Sequence, residues 1–176
     1  MADTVMAASC GEAVVSGISL VDSICVLLIG LFTAMASGGA VVAAQYMGHG
    51  DKEMVGRASN QLFIAVGGVA LLFMAIALVW NRGLLALLYG NVEADVMSAA
   101  RIYFYIVAVS FPFLGIYNGG AALFRAVGDS KRPLYFLVFS ACVNTVLDLV
   151  FVVKFHWGIA GVAWATVIAQ GLSAVL

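Results

Sequence analysis

The chain has 176 residues, 64% of them hydrophobic and only 10% charged, with a net charge of −1. A soluble domain carries about 25% charged residues, so a fully wetted surface is excluded, and the charge balance excludes nucleic acid as a partner. A mean hydropathy of +1.11 leaves an integral membrane protein.

Apolar segments alternate with short polar breaks along the chain. Met1–Cys10 is too short to span and is interrupted by Asp3, so it reads as the second half of a helix, ended by Gly11 and Glu12. No secretory signal is expected, because a basic leader region is lacking. Ala13–Ala44 is a long helical candidate of about 48 Å at 1.5 Å per residue, more than a hydrocarbon core of about 30 Å. It is expected to tilt, bend or protrude. Tyr46–Asn60 is the first polar loop, with Gly48, Gly50 and Asp51 as turn signals. Leu62–Trp80 is an unbroken apolar span, and Asn81–Arg101 an interfacial loop with an amphipathic piece. Ile102–Phe124 spans again, with a kink expected at Pro112. Arg125–Pro133 is a tight polar turn, and Pro133 suits the first turn of the next helix. Leu134–Val153 spans, Lys154–Gly158 breaks the chain, and Ile159–Leu176 begins a last span. The expected sum is five full or nearly full spans and one C-terminal half-span. Both ends stop in apolar sequence, so a fragment of a longer membrane protein is expected.

Lys52, Arg57, Arg125, Lys131 and Arg132 fall in loops on one side, against Arg82, Arg101 and Lys154 on the other. That bias places the Gly-Asp loops in the cytoplasm. Cys10, Cys25 and Cys142 lack metal-ligand or CxxC spacing and read as small buried hydrophobes. His49 and His156 lie in loops and read as surface residues.

The chemistry is concentrated in a few polar side chains inside the spans. Asp148 lies in an otherwise apolar stretch, where a charge facing lipid costs roughly 3 kcal/mol or more. Asn144 is one helical turn before it and shares its face. Counted at about 1.5 Å per residue, Asp3 lies about 12 Å from the outer face, Asp148 about 8 Å and Thr166 about 10 Å. Side chains from three helices thus fall in one layer. Two carboxylates, an amide and a hydroxyl form an oxygen set suited to a hard cation such as Na⁺. Nearby carboxylates do not both ionise cheaply, so the pair can instead hold H⁺. The plainer alternatives are an Asn144 bond to a neighbouring helix and a Thr166 bond to its own i−4 carbonyl. Asp22, beside Ser19 and Ser23, is a further acid that can line a cavity or substrate path. Tyr103, Tyr105 and Tyr117 are cavity or packing candidates, and Asn118 counts as deeper than the polar layer. Small-residue runs (Gly38-Gly39-Ala40, Gly67-Gly68, Gly119-Gly120 and Gly158–Ala165) allow close helix approach. No Ser/His pair, HExxH or catalytic aspartate dyad appears, so an enzyme is not expected.

Several stretches, taken in order, resemble the multidrug and toxic compound extrusion (MATE) family. ADTVMAASCG (2–11) looks like its first-helix segment with the acid, and GGAVVAAQYMGHGDKE (38–53) like the end of the second helix and its loop. FRAVGDSKRP (124–133) is similar to the loop between helices four and five. VNTVLDLVFV (143–152) and GIAGVAWATVIAQ (158–170) resemble helices five and six. The resemblance implies an all-α, polytopic bundle, residues 1–176 being most of the N-terminal six-helix lobe of a twelve-helix, two-lobe transporter. It implies export of cationic or amphipathic drugs and toxic compounds in exchange for H⁺ or Na⁺, with no other cofactor. Its ion site falls on Asp3, Asn144, Asp148 and Thr166, with Tyr103 as a fifth position. Asp22 and Asn118 remain cavity candidates. The implied partners are the drug or toxic cation, membrane lipid and a C-terminal lobe. A flippase for lipid-linked precursors is the alternative within this architecture, but it calls for basic residues in the cavity, where this chain has acids. A non-transporting scaffold is the other alternative, and it has no need of acids stacked in one layer.

Overall fold

The computed structural model describes residues 11–90 and 92–176. Among them the chain forms seven α-helices and no strand. They are α1 Glu12–Gly48, α2 Lys52–Val79, α3 Asn81–Tyr89, α4 Ala94–Val107, α5 Phe111–Ala126, α6 Lys131–Asp148 and α7 Gly158–Val175. A short 3-10 turn, Ala108–Ser110, joins α4 to α5, and a π-helical segment, Leu149–Lys154, extends α6. Five helical stretches are long and apolar enough to cross a membrane, α4 and α5 counting as one continuous crossing. The protein is a multi-pass membrane bundle.

α1 shows why these residues fold this way. Ile18, Val21, Leu28, Phe32, Ala36 and Ala40 recur at helical spacing and are buried. Val26, Leu27, Leu31 and Val41 on the other faces are exposed. That pattern is a helix with a protein side and a lipid side. α1 packs on α2, α4 and α5, and Phe32, Tyr103, Phe104 and Phe111 fill the core between them. α7 packs on α4 and α5. α6 lies outermost, against α7 along its length and only lightly against α5. This leaves a long α6–α7 seam set apart from the main core.

Glycine sets how closely the helices approach. A Cβ at Gly17 would sit 2.8 Å from the Ala100 backbone nitrogen, and one at Gly39 would sit 2.6 Å from a Leu62 methyl. At Gly161 the approach is slightly looser, 3.0 Å to Phe151 Cβ and 3.2 Å to Trp157 Cβ. Gly67, Gly68 and Gly120, which belong to the same small-residue runs, meet nothing within 4 Å. The composition therefore marked the runs correctly, but not which glycines touch a neighbour.

Two turns at one end of the bundle are built alike. Gly50 (φ 76) and Gly128 (φ 87) take the left-handed conformation that ends a helix. Asp51 N donates to Tyr46 O at 3.1 Å, and Asp129 N to Phe124 O at 2.9 Å. Each aspartate then caps the following helix. Asp51 accepts from Met54 N at 3.0 Å, and Asp129 from Lys131 N and Arg132 N at 3.2 Å each. One Gly-Asp pair thus closes one helix and opens the next, a tight reversal that antiparallel spans need.

Several expected boundaries shift. The loop expected over Tyr46–Asn60 shrinks to residues 49–51, because the polar residues after Asp51 form exposed first turns of α2. The expected interfacial loop Asn81–Arg101 is mostly helix, α3 and the start of α4. The Pro112 kink is the 3-10 turn, with Pro112 in the first turn of α5, where its missing N–H costs no hydrogen bond. Gly158–Val175, expected as a half-span, is 18 residues long and qualifies as a crossing. Cys142, expected to be buried, is exposed on α6, while Cys25 is half-buried; Cys10 lies outside the described residues. His49 and His156 are exposed, as expected.

Close helix approach at Gly17 yields a direct prediction. Gly17→Leu should lower stability by about 1–3 kcal/mol through overpacking, read as a drop in melting temperature in detergent. Gly38→Ala, where a Cβ meets nothing within 4 Å, should melt like the parent. Equal melting of Gly17→Leu and the parent would contradict the packing.

Candidate functional site

The polar residues of α6 fall on one stripe. Ser140, Asn144 and Asp148 are spaced by four, so they stack along a single face. That face is turned towards α7. Ser140 Oγ donates to Ala169 O at 2.7 Å, and Ser173 Oγ reaches Ser140 Oγ at 3.3 Å. α7 answers with its own stripe: Thr166 and Gln170, again four apart. Asn144, Thr166, Gln170 and Ser140 line one groove of about 170 Å³ between the two helices.

The seam changes character along its length. At the serine end it is closed, both hydroxyls being buried and bonded. In the middle it opens into the groove, where Asn144, Thr166 and Gln170 are half-buried. One turn beyond Asn144 stands Asp148, with 0% exposure. A carboxyl group so enclosed in a membrane helix is among the costliest side chains to retain there.

Local backbone features surround Asp148. α6 ends at it, and the chain continues as the π-helical segment Leu149–Lys154. A π turn widens the helix and rotates the residues that follow; such turns often accompany functional sites. Phe155 N donates to Val150 O at 3.1 Å, five residues back. Phe151 stacks on Trp157 at 5.1 Å and pins the return into α7.

The structure gathers some of the expected site residues and separates others. Asn144 and Thr166 share the groove, and Asp148 lies on the same α6 face. Thr166 Oγ1 donates to Val162 O at 3.1 Å, the i−4 bond raised as its plainer alternative. A hydroxyl that donates backwards still accepts, so this bond is compatible with a place in the groove. Tyr103 is 1% exposed on α4, the helix that packs against α7. Asp3 lies outside the described residues.

Asn118 and Asp22 do not line this groove. Asn118 Nδ2 donates to Leu114 O at 2.8 Å, and its Oδ1 accepts from Thr33 Oγ1 at 3.0 Å. It thereby ties α5 to α1. Asp22 is half-buried on α1. Its neighbours Ser19 and Ser23 bond back to Val15 O and Ser19 O of their own helix. Tyr117 donates to Pro133 O at 3.1 Å, joining α5 to α6.

Two groove residues escaped the sequence reading, Gln170 and Ser140. The signal was there: Gln170 follows Thr166 by four, and Ser140 precedes Asn144 by four. Gln170 matters because its Oε1 is buried with no hydrogen-bond partner among the described residues. A buried acceptor left unpaired costs about 1–3 kcal/mol, so it calls for a cation or a donor. Among the described residues no three His, Cys, Asp or Glu side chains cluster for a metal. Amide and hydroxyl oxygens line the groove, and the Asp148 carboxyl lies one turn beyond Asn144 on α6, outside its lining; such oxygens suit Na⁺ or a proton better than a transition metal.

Comparison with known proteins agrees with this architecture. The MatE family profile matches residues 1–150. A probable multidrug resistance protein, YpnP of Bacillus subtilis, is 31% identical over 163 residues, covering 93% of this chain and 35% of that protein. The probable multidrug resistance protein NorM of Thermotoga maritima is 25% identical, covering 99% of this chain and 38% of its own length. A crystal structure of MATE in the bent conformation superposes with a TM-score of 0.92 at 20% identity, over 99% of this chain and 38% of that one. The straight conformation gives 0.89, with the same identity and coverage. The chain thus spans little more than a third of the length of these relatives. The profile match and the bundle together place it in the MatE family.

Proposed function

We propose that this chain acts as the N-terminal lobe of a two-lobe, cation-coupled exporter of cationic or amphipathic compounds. The observation that carries the reading is Asp148, fully buried in a membrane helix at the end of a polar α6–α7 seam. The relatives' names support drug efflux as the activity.

In this reading Asp3 and Asp148 hold the coupling ion, H⁺ or Na⁺. Asn144, Thr166 and Gln170 complete its oxygen shell from the groove, and Tyr103 closes the site from α4. Ion occupancy changes the charge of the seam, which bends or straightens the helix that carries Asp3. That motion shrinks the substrate cavity and releases the compound outward. The substrate lies between two lobes, and alternating access needs both. This lobe supplies the ion-responsive half. Transport is the fitting activity, in keeping with the relatives' names.

Two measurements test this. In a protein carrying both lobes, Asp148→Asn should abolish efflux driven by an imposed H⁺ or Na⁺ gradient while leaving membrane insertion intact. Gradient-driven efflux at the parent rate would end the proposal. Gln170→Leu removes the unpaired buried oxygen, so it should melt at the parent temperature or higher. The same variant should need about tenfold more ion for half-maximal efflux, the effect of losing one ligand worth about 1.4 kcal/mol. A variant that loses stability but keeps its ion dependence would assign Gln170 to packing alone.

A further inference from the structure

A second site lies at the opposite end of the bundle from the Gly-Asp turns. α2 ends at Val79, Trp80 forms the corner, and α3 starts at Asn81. α4 passes alongside, carrying Arg101. Between them is an open cavity of about 540 Å³. Trp80, Asn81, Arg82, Arg101, Ile102 and Tyr105 are among its walls.

Three observations give this cavity a chemistry. First, among the described residues it is lined by two arginines and no acid. Among the described residues neither arginine forms an ion pair, whereas Arg57 pairs with Glu53 and Arg132 with Asp129. Arg101 Nε is buried with no hydrogen-bond partner among the described residues. A buried guanidinium N–H without an acceptor is costly, and an anionic oxygen satisfies it.

Second, the corner is held in place. Asn81 Nδ2 donates to Arg101 O at 3.3 Å, fixing the start of α3 against α4. The Trp80 indole lies so close over Gly83 that a Cβ there would be 2.5 Å from Nε1. The first turn of α3 therefore faces the cavity at a fixed angle, and the positive end of its dipole adds to the two arginines.

Third, the wall beside the arginines is greasy and exposed. Val79 is 88% exposed, Tyr105 55% and Ile102 49%. In a membrane bundle these surfaces meet acyl chains. Tryptophan and tyrosine at such a level mark the headgroup boundary. A ligand that offers a phosphate to the arginines and hydrocarbon to the wall below matches both halves. A soluble anion matches only one.

We propose that this corner binds the headgroup phosphate of one anionic phospholipid, with its chains lying along Val79, Ile102 and Tyr105. Arg82 and Arg101 grip the phosphate, and α3 orients it. Bound lipid would brace the α2–α3–α4 corner at the membrane boundary. This site is independent of the ion seam.

The test uses the protein in nanodiscs made of phosphatidylglycerol and phosphatidylcholine, followed by native mass spectrometry. One phosphatidylglycerol should stay bound in preference to phosphatidylcholine. The double variant Arg82→Gln, Arg101→Gln should retain it about tenfold less, the loss expected for one charge-assisted contact. Arg57→Gln, at the other end of the bundle, should retain it fully. Arg82 is exposed, so Arg82→Gln alone, expected to weaken retention severalfold, carries the test if the double variant does not fold. Equal retention in the Arg82 variant and the parent, or equal retention of the two lipids, would overturn the proposal. Displacement of the bound lipid by millimolar glycerol phosphate would also overturn it, by assigning the corner to soluble anions.

Discussion

Hydrocarbon offers no hydrogen bonds, and this constraint organises the bundle. Every polar side chain in a span must find its partners inside the protein. Most do so cheaply. Ser19, Ser23, Thr145 and Thr166 bond back to a carbonyl of their own helix. Asn118 spends both ends of its amide on Thr33 and Leu114. Asp148 is the most deeply enclosed acid among the described residues. That burial supports the role in ion coupling proposed for it.

The helix that carries Asp148 stands apart from the main core. α1, α2, α4 and α5 share one core of aromatic and branched side chains. α6 stands outside that core, leaning on α7 and touching α5 lightly. Its far end gives way to a π-helical segment directly after Asp148. In the proposed mechanism, an ion in the groove would act on this outlying helix. Likeness to both bent and straight MATE structures, at TM-scores of 0.92 and 0.89, means that this lobe's fold is common to both.

Much of this was legible in the residues alone. Apolar runs and polar breaks gave the crossings, and the spacing of Asn144 and Asp148 gave a shared face. Direction around the helix was not legible. Counting along the chain put Asn118 deeper than the polar layer without revealing that it points between α1 and α5. Gln170 went unremarked, although it sits one turn from Thr166. The polar residues 52–60 looked like loop because polarity was taken for irregularity, whereas a helix that leaves the hydrocarbon keeps its hydrogen bonds and changes only its side chains. The π segment has no compositional signal, since Leu149–Val153 is as apolar as any helix.

The central claim is that the Asp148 carboxyl responds to the coupling ion. Infrared difference spectroscopy of the protein, recorded on raising Na⁺ or changing pH, observes that group directly. The account predicts a carboxyl band that shifts or disappears with the ion and is missing from the Asp148→Asn spectrum. A spectrum in which no band assignable to Asp148 changes with either ion would contradict it.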